Sequence, residues 1–231
     1  DPHSREKLKD ILYQILQSDR NSLINDMCSK LISRVAIHEF PEYWEDFLID
    51  SLTRGNSLVL IYYLENLEDN PNISQNKKIL IHKIFISYFD LIKDAIFSQD
   101  DITPQSLYLY SLISQWAPLE RIVNEKIIHL LTTHLIENNL TRDNAIKCLD
   151  VIFIQRCDSK NEFPRIHNLL LTNLFSASKM YADVAVLMAN ILTAHLDFFG
   201  KDNGIIKTVK TKVEPKTSEI NENGEEILVF N

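Results

Sequence analysis

The sequence predicts an all-α fold, and three observations support that prediction. Only four glycines and seven prolines occur in 231 residues, too few for the tight turns of an all-β or doubly wound fold. Apolar residues recur at helical spacing along residues 4–199. No strand pattern competes with them before residue 200. Since 45% of the residues are hydrophobic, such a chain can also bury a core.

The first helices follow directly from this spacing. One apolar stripe runs over residues 8–16 and a second over residues 23–36, after a polar loop. The next stretch, HEFPEYWEDFLIDSL at residues 38–52, breaks the pattern at Pro41 and restarts it with two large aromatics. Proline disfavours helical geometry at the preceding Phe40 and is well tolerated in a helix's first turn. We therefore predict that one helix ends here, that a third begins at Pro41, and that Trp44 and Phe47 are buried between helices. Trp116 also lies on an apolar stripe and is predicted to belong to the core, with a partner-binding anchor as the alternative for both tryptophans.

The same logic extends to residue 199. Thr103 and Pro104 form a cap followed by a first-turn proline, and Pro118 ends that helix. The remaining predicted helices cover residues 56–67, 74–97, 103–116, 119–138, 142–156, 163–178 and 181–199.

Successive helix pairs recur at roughly 40 residues, a spacing typical of solenoids built from helical hairpins. A compact, irregular helical domain would show much the same periodicity, so periodicity alone leaves both architectures open. Residues 201–231 differ in composition and form a polar tail. Its alternating stretch at 205–213 and its Asn223-Gly224 turn predict a hairpin, with a mobile loop or linker as the alternative.

Charge and cysteine content limit the function classes. The net charge of -8, without a Lys/Arg-rich run, predicts neither direct DNA binding nor adhesion to anionic lipid. The longest apolar runs are shorter than the roughly 20 residues that span a bilayer, so we expect no membrane insertion. Cys28, Cys148 and Cys157 are odd in number and far apart, which predicts buried thiols in an intracellular, reducing compartment.

Three stretches resemble landmarks of one protein family. The first is HEFPEYWEDFLIDSL, with its aromatic, proline, tryptophan and leucine spacing. The others are LISQWAPLERIVNEKIIHLLTTHL at residues 112–135 and TRDNAIKCLDVIF at residues 141–153. In this order, they resemble the amino-terminal region of exportins in the importin-β superfamily. Ala117 departs from the pattern, because the family has a larger aliphatic residue after the second tryptophan.

The resemblance implies an α-solenoid of HEAT-type antiparallel helix hairpins over residues 1–200, within a longer receptor. It also implies a function in nuclear export, with GTP-bound Ran, cargo protein or RNA, and nucleoporins as partners. The receptor would then shuttle between nucleus and cytoplasm. The alternative is a cytoplasmic helical-repeat adaptor that does not depend on Ran. In either case we expect a binding protein and no enzyme.

Candidate binding residues are the acidic cluster Glu42, Glu45 and Asp46, at the predicted start of the third helix. They would contact a basic cargo or Ran. The competing interpretation is that they complement the helix dipole and remain solvated. No residue set predicts a metal, a cofactor or a catalytic centre. His129 and His134 are five positions apart, which is wrong for a shared metal on a helix.

Overall fold

A computed structural model describes residues 2–18, 21–54, 56–97, 102–123, 125–156, 158–199, 217–220 and 226–229. Up to residue 199 the described segments are helical apart from the turns and short links between helices, which confirms the all-α prediction for that part of the chain. The helices are α1 (Pro2–Ser18), α2 (Ser22–Glu39), α3 (Phe47–Thr53), α4 (Ser57–Asp69), α5 (Gln75–Ser87), α6 (Phe89–Phe97), α7 (Pro104–Ile113), α8 (Leu119–Ile122), α9 (Glu125–Glu137), α10 (Arg142–Asp150), α11 (Ser159–Ser178), α12 (Ala182–Ala194) and α13 (Leu196–Phe199).

The predicted start of the third helix at Pro41 is wrong, because α3 begins at Phe47. Residues 40–46 form turns instead, and the Phe40-Pro41 peptide bond is cis. The Tyr43 amide donates to the Glu39 carbonyl at 2.7 Å, which closes the first of these turns onto the end of α2. The turns bring Phe40 and Phe47 to 5.4 Å between ring centroids, so both are buried in one cluster.

Several predicted helices are divided in the structure. The segment 74–97 is interrupted at Tyr88, where α5 ends and α6 follows. Residues 119–138 form α8 and α9, and α10 continues into a five-residue π-helical turn, Val151–Gln155. Apolar periodicity continues through such breaks, which is why it did not reveal them.

The cap before α7 is confirmed. The Ser106 amide donates to Thr103 Oγ1 at 3.1 Å, and the Thr103 amide donates to Ser106 Oγ at 3.0 Å. This reciprocal capping box satisfies amide groups that have no partner within the helix.

The helices pack mainly with neighbours in sequence. One row consists of α2, α4, α7, α10 and α12, in which each helix packs on the next. The helices α1, α3, α6, α9 and α11 pack beside successive members of that row, and α9 also packs on α11.

In the second half of the helical region, hydrogen bonds between successive pairs join residues 37 to 42 positions apart, and most of these separations are 41 or 42. The Arg165 guanidinium donates to the Val123 carbonyl, 42 positions away. Three further bonds of this kind are Cys148 Sγ to Leu107 O at separation 41, Asn173 Nδ2 to Thr132 Oγ1 at 41, and His195 Nε2 with Phe153 O at 42. The same relation between neighbouring pairs therefore recurs along the second half of the helical region.

Cys28 and Cys148 are buried, as predicted, whereas Cys157 lies outside the described residues. Burial raises the pKa of Cys148 well above its ordinary value. Its thiol donates to the Leu107 carbonyl at 3.1 Å, so the side chain packs α10 against α7.

Two short strands occur in the tail. Thr217–Ile220 pairs antiparallel with Glu226–Val229, with Thr217 opposite Val229 and Ile220 opposite Glu226. The second strand lies in the stretch predicted to follow the Asn223-Gly224 turn. That turn and the predicted partner strand at 205–213 lie outside the described residues.

Among the described helices, none is both long enough and apolar enough to cross a bilayer. Across the same ranges, no three His, Cys, Asp or Glu side chains come together as a metal-binding group.

Candidate partner-binding surface

The predicted acidic residues lie in the turns that precede α3. Glu42, Glu45 and Asp46 are all exposed. Lys77 Nζ donates to the Glu42 carboxylate at 3.1 Å. Slight burial raises the pKa of Glu42, but a hydrogen bond from its own backbone amide and the contact with Lys77 together lower the pKa by more. The pKa of Glu42 is therefore lowered, and the carboxylate stays ionised. Asp46 occupies the cap position of α3 without a side-chain hydrogen bond to the helix.

Beneath this cluster lies a closed aromatic junction, formed by Tyr13, Phe40, Trp44, Phe47 and Tyr63. Trp44 is 6% exposed and Phe47 is fully buried, which confirms their predicted place in the core. Their ring centroids are 5.2 Å apart, and Tyr13 meets the Trp44 ring edge-on at 6.1 Å. Large aromatic surfaces packed in this way contribute strongly to stability.

Polar groups complete the surroundings of Trp44. Its indole N–H donates to Asp50 at 2.9 Å, and the Lys9 ammonium lies 4.3 Å from the ring centroid. Lys9 is itself buried and paired with the Glu39 carboxylate at 2.8 Å. The aromatic junction is therefore a packed element, whereas the acidic side chains above it and the exposed Tyr43 between them are accessible to a partner.

A different surface offers concave geometry. The helices α4 and α7 lie side by side and parallel, and two clefts follow the groove between them. The first has a volume of about 370 Å³, and we call it the acidic cleft. Its lining consists of Leu64, Glu65, Glu68, Asp69, Tyr108, Leu112, Gln115 and Trp116. The second cleft, of about 320 Å³, is lined by Leu58, Ile61, Tyr62, Glu65, Pro104, Gln105, Tyr108 and Asn144.

Hydrogen bonds fix the walls of the acidic cleft. Tyr108 donates its hydroxyl to the Glu65 carboxylate at 2.9 Å, and this pair separates the two clefts. His82 Nε2 lies 2.8 Å from the Glu68 carboxylate. The His82 ring also stacks on Trp116, with centroids 4.8 Å apart and planes inclined by 11°. The His82 ring therefore holds one face of the Trp116 indole in place, and the Trp116 side chain also lines the cleft.

The electrostatic environment of the acidic cleft is negative. It contains three carboxylates, and among the described residues the one basic side chain within ion-pair distance of them is His82, which contacts Glu68. Burial and then the Glu65 carboxylate raise the pKa of Tyr108, so its hydroxyl stays a proton donor. Neither α4 nor α7 carries a basic residue in its last turn, although helix C-termini favour positive charge.

Sequence reasoning missed this groove. Trp116 was predicted to belong to the core; it is partly buried and packs against the core, and it also lines the acidic cleft. A usable signal was present, because Glu65, Glu68 and Asp69 place acidic groups in the last turns of α4, where cations are preferred. The partnership of α4 with α7, by contrast, could only come from the structure.

A scan against protein-family models, a search of curated proteins and a search of solved structures each gave no match to this chain.

Proposed function

We propose that the chain is a protein-binding scaffold built as a HEAT-type α-solenoid. The recurring separation of 41 to 42 residues in the hydrogen bonds between helix pairs supports this architecture. So does the packing of α2, α4, α7, α10 and α12 as successive neighbours. Stacked hairpins present continuous grooves between adjacent helices, which is how such folds bind extended partners.

The observation that carries the binding role is the groove between α4 and α7. It is concave and lined by aromatic side chains, and its carboxylates pair only in part within the described chain. Clefts with apolar walls and a few convergent polar groups are the usual form of a binding site. The acidic cluster of Glu42, Glu45 and Asp46 is a second accessible surface for a basic partner.

Within this class, we propose part of a nuclear export receptor that binds cargo together with GTP-bound Ran. The resemblance of residues 38–52, 112–135 and 141–153 to exportin landmarks supports it. Nucleoporins would be further partners, and the receptor would shuttle between nucleus and cytoplasm. Contacts with Ran and cargo would extend over many helix pairs, so this chain would supply a minority of them.

The second candidate is an adaptor that works without Ran, and one observation favours it. Trp44, Phe47, Cys148 and Leu149, which carry much of the resemblance, are buried in the core. Packing alone therefore accounts for these residues, and any helical-repeat protein needs such positions.

Calorimetric titration of the full-length protein with Ran in its GTP and GDP states distinguishes the two candidates. The export receptor should bind GTP-bound Ran and gain cargo affinity by reciprocal coupling. The present chain alone should bind it weakly, and added salt should weaken that binding further. Cargo affinity that is equal with and without GTP-bound Ran would reject the export receptor in favour of the adaptor.

A further inference from the structure

We propose that the acidic cleft takes the guanidinium group of an arginine in a segment of a partner protein. The inference deepens the proposed scaffold function, because it assigns the chemistry of the partner at this groove. It rests on the binding role alone and is independent of Ran.

The charges in the cleft indicate a cation. Glu65 and Asp69 are four positions apart on α4, and Glu68 lies between them on the same side of the helix. Like charges at this spacing destabilise a helix unless a cation compensates them. Among the described residues, neither Glu65 nor Asp69 has a lysine, arginine or histidine within ion-pair distance.

The helix ends add a second, independent attraction for positive charge. The parallel arrangement places the C-terminal turns of both α4 and α7 at the acidic cleft. Each C-terminus carries roughly half a negative charge. Two nearby cations are already in use: Lys78 Nζ donates to the Glu68 carbonyl at 2.6 Å, and Lys147 lies 4.0 Å from the centroid of the Tyr108 ring.

The walls select arginine over lysine. A guanidinium is planar, stacks on aromatic rings and donates to two carboxylate oxygens at once, whereas an ammonium is a compact, strongly hydrated charge. Trp116 supplies aromatic surface in the cleft, and Glu68 and Asp69 supply the carboxylates. His82 already stacks on Trp116, so the indole is fixed before a ligand arrives.

The position of the second cleft predicts the distance between two side chains of the partner segment. Its lining includes Leu58, Ile61 and Pro104, which suit an apolar side chain. Ile61 and Glu68 are seven positions apart on α4, about 10 Å at 1.5 Å per residue. An extended peptide covers that distance in about three residues. The partner segment therefore carries an arginine and an apolar residue three positions apart.

The test is a titration of the protein with an acetylated, amidated tetrapeptide of sequence RSSL, monitored through the NMR signal of the Trp116 indole. We expect a saturable shift of that signal. Replacing the arginine by citrulline, which has the same shape without the charge, should weaken binding about tenfold. Replacing the leucine by serine should weaken it less.

Two matched double variants locate the effect. Glu68→Gln with Asp69→Asn should reduce affinity for RSSL about tenfold. Glu120→Gln with Glu125→Gln removes the same charge from exposed positions on α8 and α9 and should leave affinity unchanged. Thermal unfolding of both variants monitors the fold.

The proposal is overturned if the citrulline peptide binds as tightly as RSSL, or if no shift occurs at millimolar peptide. Equal losses in the two double variants would also overturn it, since they would show a general charge effect. An equal response to guanidinium ion alone would assign a small-cation site instead of a peptide site. If the peptide does not bind but cargo binding still depends on Ran, only the assignment of the cleft is rejected. If the peptide binds but cargo binding does not depend on Ran, the cleft belongs to a Ran-independent adaptor.

Discussion

The two tryptophans of the chain lie in regions of opposite character. Trp44 belongs to the closed aromatic junction, where rings, an ammonium group and a carboxylate surround it. Trp116 lines the acidic cleft, and only His82 and Phe85 meet its ring among the described aromatic side chains. Both tryptophans occupy apolar stripes in the sequence, so the stripe alone does not distinguish a core residue from a groove residue.

The difference comes from what neighbouring elements supply. The turns at residues 40–46 fold the chain back so that Phe40 and Phe47 cover Trp44 and Tyr63. Nothing in the described chain covers the acidic cleft in the same way. The first region therefore stabilises the fold, and the second has surface left for a partner.

The largest expected effect is the loss of the Trp44 ring. Trp44→Ala should lower the free energy of unfolding by about 3–5 kcal/mol, because it removes a buried aromatic and leaves a cavity. Urea unfolding followed by circular dichroism measures this change. Partner binding should fail only to the extent that folding fails. A variant that unfolds like the parent but has lost a partner would place Trp44 at a binding surface and break the comparison.

The next effect concerns the ion pair beneath Trp44. In the Lys9–Glu39 pair, the two side chains are 5% and 10% exposed. Glu39→Gln should cost about 2–3 kcal/mol, below the ~3–5 kcal/mol of a fully uncompensated buried charge, because Lys9 keeps its ion pair with Glu6 at 2.8 Å. Glu68→Gln, at the half-exposed acidic cleft, should cost less than about 0.5 kcal/mol. Equal losses in the two variants would contradict the division into a closed and an open region.

The pH dependence of the Glu39 variant sharpens this result. Burial lowers the pKa of Lys9, but hydrogen bonds to Glu39 and Glu6 raise it more, so the folded value lies above 10.5. A raised pKa stabilises the fold below the unfolded value, and the contribution is lost as pH rises through the folded value. The difference in unfolding free energy between parent and Glu39→Gln should therefore shrink above about pH 10.5.

Much of the fold could be predicted from the sequence, because apolar spacing reports burial directly. Capping chemistry located the start of α7, and the buried positions of Trp44 and Phe47 followed from their stripe. The turns before α3 were missed, since a proline that is compatible with a helix start is also compatible with a turn. The clefts were missed because they depend on which helices become neighbours.

A smaller effect is expected at the groove. Trp116→Ala should cost about 1–2 kcal/mol, since the ring is only half-buried and loses less apolar area than Trp44 would. Its loss should nevertheless abolish the binding of the RSSL peptide, which calorimetry can measure on the folded variant. A stability loss as large as that of Trp44→Ala would show that Trp116 serves the core.

The smallest expected difference between the two regions is that between two tyrosine hydroxyls. Tyr13 is fully buried in the aromatic junction, and its hydroxyl lies 3.1 Å from Ser51 Oγ. Tyr108 donates to Glu65 at the half-open groove. Tyr13→Phe should cost about 1–2 kcal/mol, because it leaves the buried Ser51 hydroxyl without its partner. Tyr108→Phe should cost about 0.5 kcal/mol, because water reaches the Glu65 carboxylate and replaces the lost donor. Urea unfolding of both variants under one set of conditions measures the difference, and a reversed order would mean that the groove is closed and the junction open to water.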